Sequence, residues 1–324
     1  IMSKQNHRIA DKLEENPEDA FELMHQELDK VWKECFRVLK VGGFICINIG
    51  DATRTINGNF ALYNNHSRIS KACVDLGFVG LPNIIWRKQT NAPNKFMGSG
   101  MLPCGAYVTL EHEWILIFRK GGKREFKKAD EKLSRMKSSF FWEERNVWFS
   151  DIWDVKGTKQ KMRKDSSRKR SAAYPFEVPY RLINMFSQKG DMVLDPFLGT
   201  GTTMQAAILL GRNSCGYEID PEFETIIREG IDKLDIDMCN NLIKNRFDAH
   251  KEFIANRKAS GKEIKHFNET LNCEVMTNQE KEIELNYIES ISEDKNTGAY
   301  MVKYENRSDL TTLPFSHTLF KKAN

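Results

Sequence analysis

Asp195, Gly199, Gly201 and Glu218 are the residues of this sequence whose types and spacing most clearly imply chemistry. They lie in "MVLDPFLGTGTTMQAA" and in the "GYEID" that follows. The apolar run Met192-Val193-Leu194 leads into Asp195, and the glycines open a stretch, Thr202 to Leu210, that reads as helix. Strand, tight turn and helix follow in that order. A phosphate-cradling loop would need Gly-Lys-Ser/Thr, and no lysine follows Gly201. A dinucleotide turn needs a third glycine, where this register reaches Met204. A carboxylate aimed into a turn of backbone N–H groups suits a cationic ligand better than a pyrophosphate. Glu218 closes the next expected strand, nineteen residues after Gly199, where a carboxylate can accept both ribose hydroxyls. Nucleoside plus cation describes S-adenosylmethionine. A tight turn with no ligand would explain the glycines, but not Asp195, Thr202-Thr203 and Glu218 as well.

Three other constellations compete for a role. Asp51 ends the apolar run "FICINIG", and strand carboxyl ends in open α/β sheets face the ligand crevice. Asp51 is therefore a candidate catalytic residue bordering a base pocket, and equally a plain turn residue. Pro103-Cys104 has the form of the nucleophile of a cytosine-ring methyltransferase, but there the cofactor turn lies upstream of the cysteine and here it lies downstream. Cys104 reads as structural. His112-Glu113 lacks the second histidine of H-E-x-x-H, so no metal site is expected.

The elements that must position these residues alternate. Residues 18–40 carry Phe21, Met24, Leu28, Val31, Trp32, Cys35, Phe36 and Leu39 at the spacing of an amphipathic helix. Val41-Gly42-Gly43 stops it before the strand 44–50. Further helices are expected at about 66–77, 177–188 and after Pro221, and further strands at 83–87, 113–120 and 214–220. Beyond about 236 the pattern weakens into a polar tail with short apolar stretches. Helices alternating with buried strands imply an α/β protein, a mainly parallel sheet covered on both faces.

Composition narrows the setting. The chain has 324 residues, 40% of them hydrophobic, enough for a substantial core. No apolar run approaches the roughly 20 residues that span a bilayer. Seven cysteines, an odd number with no C-x-x-C pair, read as reduced thiols in a cytoplasmic protein. The net charge of +4 hides an asymmetry. Arg119 to Arg170 holds 18 Lys and Arg against 8 Asp and Glu, while the rest of the chain holds 31 against 37. The same segment carries Phe140, Phe141, Trp142, Trp148, Phe149 and Trp153. Basic residues with interleaved aromatics suggest a small insertion with its own core and a phosphate-facing skin. Arg119, Lys120, Lys161, Arg163 and Lys164 are its candidate DNA contacts.

These residues carry a resemblance. "VLDPFLGTGTT" with "GYEIDPEF" resembles the cofactor region of DNA amino-methyltransferases, which modify the exocyclic amine of cytosine or adenine. "FRVLKVGGFICINIGD", "IIWRKQTNAPNKF", "TLEHEWILIFRK" and "AAYPFEVPYRLI" resemble flanking pieces in the order of the beta class, in which the catalytic half precedes the cofactor half. The resemblance spans about Asp19 to Glu229. It implies a Rossmann-like methyltransferase sheet with helices on both faces and a small target-recognition insertion. The divisions expected from it are a catalytic half at 1–118, the insertion at 119–170, the S-adenosylmethionine half at 171–235 and an extension at 236–324. It also implies cofactor contacts from Tyr174, Pro175, Asp195, Phe197, Gly199, Gly201, Thr202 and Glu218. The histidine that often opens the segment before Tyr174 is replaced here, with Ser171 or Ala172 near its place.

The partner implied is double-stranded DNA, the target base flipped out of the stack. In this family a tetrapeptide, Ser/Asp/Asn-Pro-Pro-aromatic, accepts hydrogens from the amine and stacks on the base. No two of the nine prolines adjoin, and the family places the tetrapeptide before residue 19. The expectation is that an upstream segment, on this polypeptide or on a companion or second copy, supplies it, and that this chain alone is poorly active. The overall look of residues 19–120 leans toward cytosine N4 within a restriction–modification or stand-alone modification system. Adenine N6, or a non-catalytic cofactor- and DNA-binding subunit, is the alternative.

Overall fold

The computed structural model describes residues 12, 15–88, 97–157, 174–305 and 315–318. They form two compact units, one within residues 1–125 and 150–157, the other within 126–149 and 158–324. Among the described residues no helix is long and apolar enough to cross a membrane.

The first unit opens with helix α1, Pro17–Val38. The Asn16 side chain accepts the N–H groups of Glu18 and Asp19 at 3.2 and 3.3 Å, and Pro17 takes the first position. Such capping satisfies donors that the first turn leaves unpaired. Ala20, Met24, Leu28, Trp32 and Cys35 are its buried stripe. Then come β1 (Phe44–Ile49), the hairpin β2 (Ala52–Ile56) and β3 (Asn59–Tyr63), helix α2 (Asn65–Asp75), and β4 (Phe78–Gly80). Next are β5 (Ile84–Arg87), the short hairpin β6 (Met97–Gly98) and β7 (Ala106–Tyr107), β8 (His112–Lys120) and β9 (Ile152–Trp153). The long strand β8 is central, with Ile115 to Phe118 all buried. It pairs antiparallel with β1 on one side and with β5 and β4 on the other. Leu28 and Trp32 of α1 share a core with Ile47, Ile69, Cys73, Phe78, Leu116 and Phe118.

The second unit begins with two short helices, α3 (Ala129–Lys137) and α4 (Trp142–Trp148). Helix α5 (Glu177–Phe186) precedes β10 (Met192–Asp195), α6 (Thr202–Leu209), β11 (Asn213–Gly216) and α7 (Glu222–Asp232). The 24-residue helix α8 (Ile236–Ala259) follows, then β12 (His266–Asn268), β13 (Cys273–Val275), β14 (Tyr287–Asp294), β15 (Ala299–Glu305) and β16 (Phe315–Thr318). Strands β10, β11 and β16 are parallel, and β15 and β14 continue the sheet antiparallel. Met204, Ala206, Ala207, Ile208 and Leu209 bury α6 almost all round. The core adds Phe223, Ile227 and Ile231 of α7 and Tyr300, Val302 and Tyr304 of β15.

The α/β, Rossmann-like class stands, but the sheets are mixed rather than mainly parallel. In the first unit only β5 and β9 pair in parallel. Among the described residues between β5 and β8 there is only the short β6–β7 hairpin, and β8 runs antiparallel to β5. The aromatics of residues 119–170 are divided in the same way. Trp153 is buried in the first unit, where the parallel strand β9 sets it opposite Trp86. Phe141 and Trp148 are buried in the second unit, and Phe141 stacks on His250 of α8 at 3.9 Å. They are shared core, not the core of a separate insertion.

Helix α8 holds that segment by charge as well. Arg246 binds Glu144 through two hydrogen bonds of 2.5 and 2.7 Å, and His250 Nδ1 lies 2.8 Å from Glu143. Burial pulls the His250 imidazole down, but its bonds to Cys273 and Glu143 and the Glu143 charge outweigh burial and push it up to about 10. A raised folded-state value stabilises the fold fully below the ordinary value of 6.5 and is lost as pH rises through about 10. The melting temperature should therefore fall between pH 7 and 10, with His250 contributing on the order of 3 kcal/mol to the loss. Thermal scans of wild type and His250→Gln check this. The variant should start less stable and show a flatter decline over that window.

Candidate functional site

The turn after β10 is held from both ends by carboxylates. Asp195 Oδ1 accepts the Phe197 N–H at 3.0 Å, and Oδ2 accepts the hydroxyls of Tyr174 and Thr203 at 3.2 and 2.5 Å. One side chain thus ties the strand end, the turn and the first turn of α6 to the segment before α5. Burial, and then the Asp195 charge, push the Tyr174 phenol far up, so Tyr174 stays a neutral donor. Pro175 beside it is buried, and its carbonyl accepts the Val178 N–H at 3.0 Å. Glu218 lies two residues past the end of β11, not within it. Its Oε2 accepts the Gly199 N–H at 2.9 Å and its Oε1 the Asp220 N–H at 3.0 Å.

The two glycines do different work. Both have left-handed backbones, φ +55° at Gly199 and +82° at Gly201, which cost a side-chain-bearing residue about 1–2 kcal/mol. A Cβ on Gly201 would meet Ile227 of α7 at 3.3 Å, so this glycine lets helix and turn pack closely. A Cβ on Gly199 would find only the Phe197 carbonyl oxygen, 3.9 Å away. The space over Gly199 is open for a ligand to approach the backbone. Phe197 is 52% exposed, and Thr202 sits at the start of α6 with its hydroxyl 3.4 Å from that of Thr200. All the residues expected to bind the cofactor thus belong to this turn or brace it. Thr203, singled out in the sequence beside Thr202, braces the turn through its hydroxyl on Asp195.

Residues 4–229 match the N6_N4_Mtase family, DNA methylase. The chain belongs to this family of DNA methylases. It is 50% identical to the Type II methyltransferase M.MthZI of Methanothermobacter thermautotrophicus, over 91% of this chain and 82% of that protein. It is 54% identical to the Type II methyltransferase M.MjaI of Methanocaldococcus jannaschii, over 71% of this chain and 75% of that protein. TTHA0409 of Thermus thermophilus, solved in complex with S-adenosyl-L-methionine, superposes with a TM-score of 0.54 at 34% identity, over 65% of this chain and 77% of that one. The methylase is an S-adenosylmethionine-dependent DNA amino-methyltransferase.

The turn fits that cofactor. Each Glu218 oxygen has one lone pair spent on a backbone N–H and another left for a ribose hydroxyl. Gly199 leaves room at the turn, and Asp195 supplies negative charge beside it. When bound, the cofactor supplies an electrophilic sulfonium methyl group. The protein's part is to orient it and keep the turn rigid.

Asp51 of the methylase stands past the end of β1 with three donors on its carboxylate. Oδ1 accepts the His66 N–H at 3.1 Å, which caps α2 in place of Asn64. Oδ2 takes His66 Nδ1 at 2.6 Å and Trp114 Nε1 at 3.3 Å. The imidazole stacks on Trp114, with centroids 4.5 Å apart. Asp51 positions His66 and Trp114, and its Oδ1 accepts one of these three donors. His66 lies fifteen residues away across a hairpin, a distance over which sequence carries no signal. Arg119 and Lys120 end β8 at the opposite edge of the sheet from Asp51. Lys120 Nζ is spent on the Phe36 and Arg37 carbonyls at the end of α1. Lys161, Arg163 and Lys164 lie outside the described residues.

Two substitutions separate these roles. Glu218→Ala should weaken S-adenosylmethionine binding by about 1–3 kcal/mol through lost ribose hydrogen bonds, read by titration calorimetry. Nicotinamide dinucleotide binding without S-adenosylmethionine binding would overturn the assignment. Asp51→Asn offers one acceptor where three donors converge and turns an N–H₂ against a donor. It should lower stability by about 1–3 kcal/mol in chemical denaturation. An unchanged midpoint would show that the carboxylate is not needed there.

Proposed function

We propose that this chain methylates the exocyclic N4 of cytosine in double-stranded DNA, as the modification enzyme of a restriction–modification system. The observation that carries the reading is the Asp195–Gly199–Glu218 turn within a chain that belongs to the DNA methylases. M.MthZI and M.MjaI, both Type II methyltransferases, support the system. The resemblance of residues 19–120 supports cytosine over adenine.

An exocyclic amine is a poor nucleophile because its lone pair is delocalised into the ring, and inside a duplex it is out of reach. The base must leave the stack and be held in a pocket. On this reading Asp195 and Glu218 fix the donor side. The carboxyl-end edge of the first unit, where Asp51 locks His66 and Trp114, receives the nucleic acid. The basic segment 119–170 supplies phosphate contacts and long-range attraction.

Nucleoside analysis of DNA from a host expressing the full-length protein tests the chemistry. N4-methylcytosine is expected, and N6-methyladenine would move the assignment to adenine. Neutralising Lys161, Arg163 and Lys164 together should flatten the slope of log affinity against log salt by roughly 3, one counterion released per contact. An unchanged slope would make the run a solvated surface.

A further inference from the structure

The edge of the first unit that holds Asp51 also carries an apolar tip with no partner in the fold just described. Strands β1 and β5 both run antiparallel to β8, and Ile49 and Ile85 both face Trp114, so their carboxyl ends reach one edge. The β2–β3 hairpin leaves this edge after Asp51, and the β6–β7 hairpin stands between β5 and the start of β8 at the same edge. Phe60 of the first stacks on Tyr107 of the second, with centroids 4.5 Å apart and planes within 4°. Each hairpin braces the other.

The tip of β6–β7 is a closed turn. The Ser99 N–H donates to the Gly105 carbonyl at 2.8 Å, and the Ser99 hydroxyl donates to the Leu102 carbonyl at 2.8 Å. Gly98, Gly100 and Cys104 take left-handed backbones with φ of +68°, +68° and +62°. A Cβ on Gly98 would lie 2.1 Å from the Gly105 oxygen, so the two arms touch. This build holds Met101 86% exposed and Leu102 68% exposed, with Val108 at 89% just beyond. Apolar side chains held in water on a preformed turn mark a place where something else covers them. Arg54 and Arg87 are exposed on β2 and β5, and Arg87 lies 3.8 Å from Glu111. Apolar atoms flanked by cations at a ligand edge complement stacked bases flanked by phosphates.

We propose that Met101 and Leu102 form a wedge that enters the base stack and fills the space left by the target base when it swings out. The inference rests on the DNA methylase reading. A flipped base leaves an apolar gap between its former neighbours, and apolar side chains are what proteins insert between unstacked steps. The preformed turn means that little conformational freedom is lost on insertion. Cys104 takes no part beyond its left-handed backbone in the turn.

The test compares single-turnover methylation by the full-length protein on two duplexes, one with the target base correctly paired and one with it opposite an abasic site. Where pairing is already lost, flipping costs less and a wedge matters less. The double variant Met101→Ser with Leu102→Ser should be roughly tenfold or more slower on the paired duplex and nearly normal on the abasic one, with S-adenosylmethionine affinity unchanged. The swap Met101→Leu with Leu102→Met should restore the rate on paired DNA. Equal rates for wild type and double variant, or an equal loss on both duplexes, would overturn the wedge. So would a wild-type dimer that the double variant dissolves at unchanged rates, because the tip would then be an interface between copies. Absence of methyl transfer by wild type on every DNA would instead sink the reading beneath it.

Discussion

A carboxylate at the end of a strand, spent on the chain that follows it, is the interaction on which both halves of this molecule depend. Asp195 gathers the Phe197 N–H and the Tyr174 and Thr203 hydroxyls. Asp51 gathers the His66 N–H, the His66 ring and the Trp114 ring. In each unit one acidic side chain fixes how the next helix begins relative to the strand. A strand end in an α/β sheet leaves backbone N–H groups pointing into the crevice, and an anion there satisfies some and orients the rest. The ligand edge is rigid because these groups are already paired.

The same logic separates bracing from binding. The Gly201 turn is closed against Ile227, while Gly199 opens outward with its N–H held by Glu218. Two glycines one residue apart thus serve opposite faces of the turn. Deeper in the unit, buried cations donate to uncharged oxygens. The Arg212 guanidinium donates to the Leu210 and Ser187 carbonyls, and burial pushes it down to about 10. Burial likewise pulls Lys189 down to about 7, although its Nζ donates to the Glu284 carbonyl and to Asn286. Carbonyl oxygens can satisfy a buried cation's protons.

Much of this was legible in the sequence, for reasons that differ by element. Helix α1 announced itself through a regular apolar stripe, and the cofactor turn through Asp195 and two glycines. Helix α8 did not, because its polar residues outnumber its apolar ones. Cys239, Ile243, Phe247, His250 and Ile254 still stand three or four apart, and a reading that admitted cysteine and histidine to the apolar face would have found it. The reversal of β8 and the division of the aromatics depend on tertiary pairing, which local pattern cannot encode. His66 could not be linked to Asp51 for the same reason.

Charge shows what tertiary structure adds to a count from sequence. The excess of ten positive charges in residues 119–170 is a statement about composition, and folding could have neutralised it. Among the described residues of that segment, Glu143 and Glu144 turn inward to His250 and Arg246. Buried pairs of this kind do more for where a segment docks than for net stability. On the other side, Lys120 is drawn to the end of α1, and Lys137 pairs with Glu284 at 2.6 Å. Among the described residues of the segment two acids are thus held by α8, and two bases are drawn to partners within the fold. Salt that screens the outer charges leaves the buried pairs largely untouched.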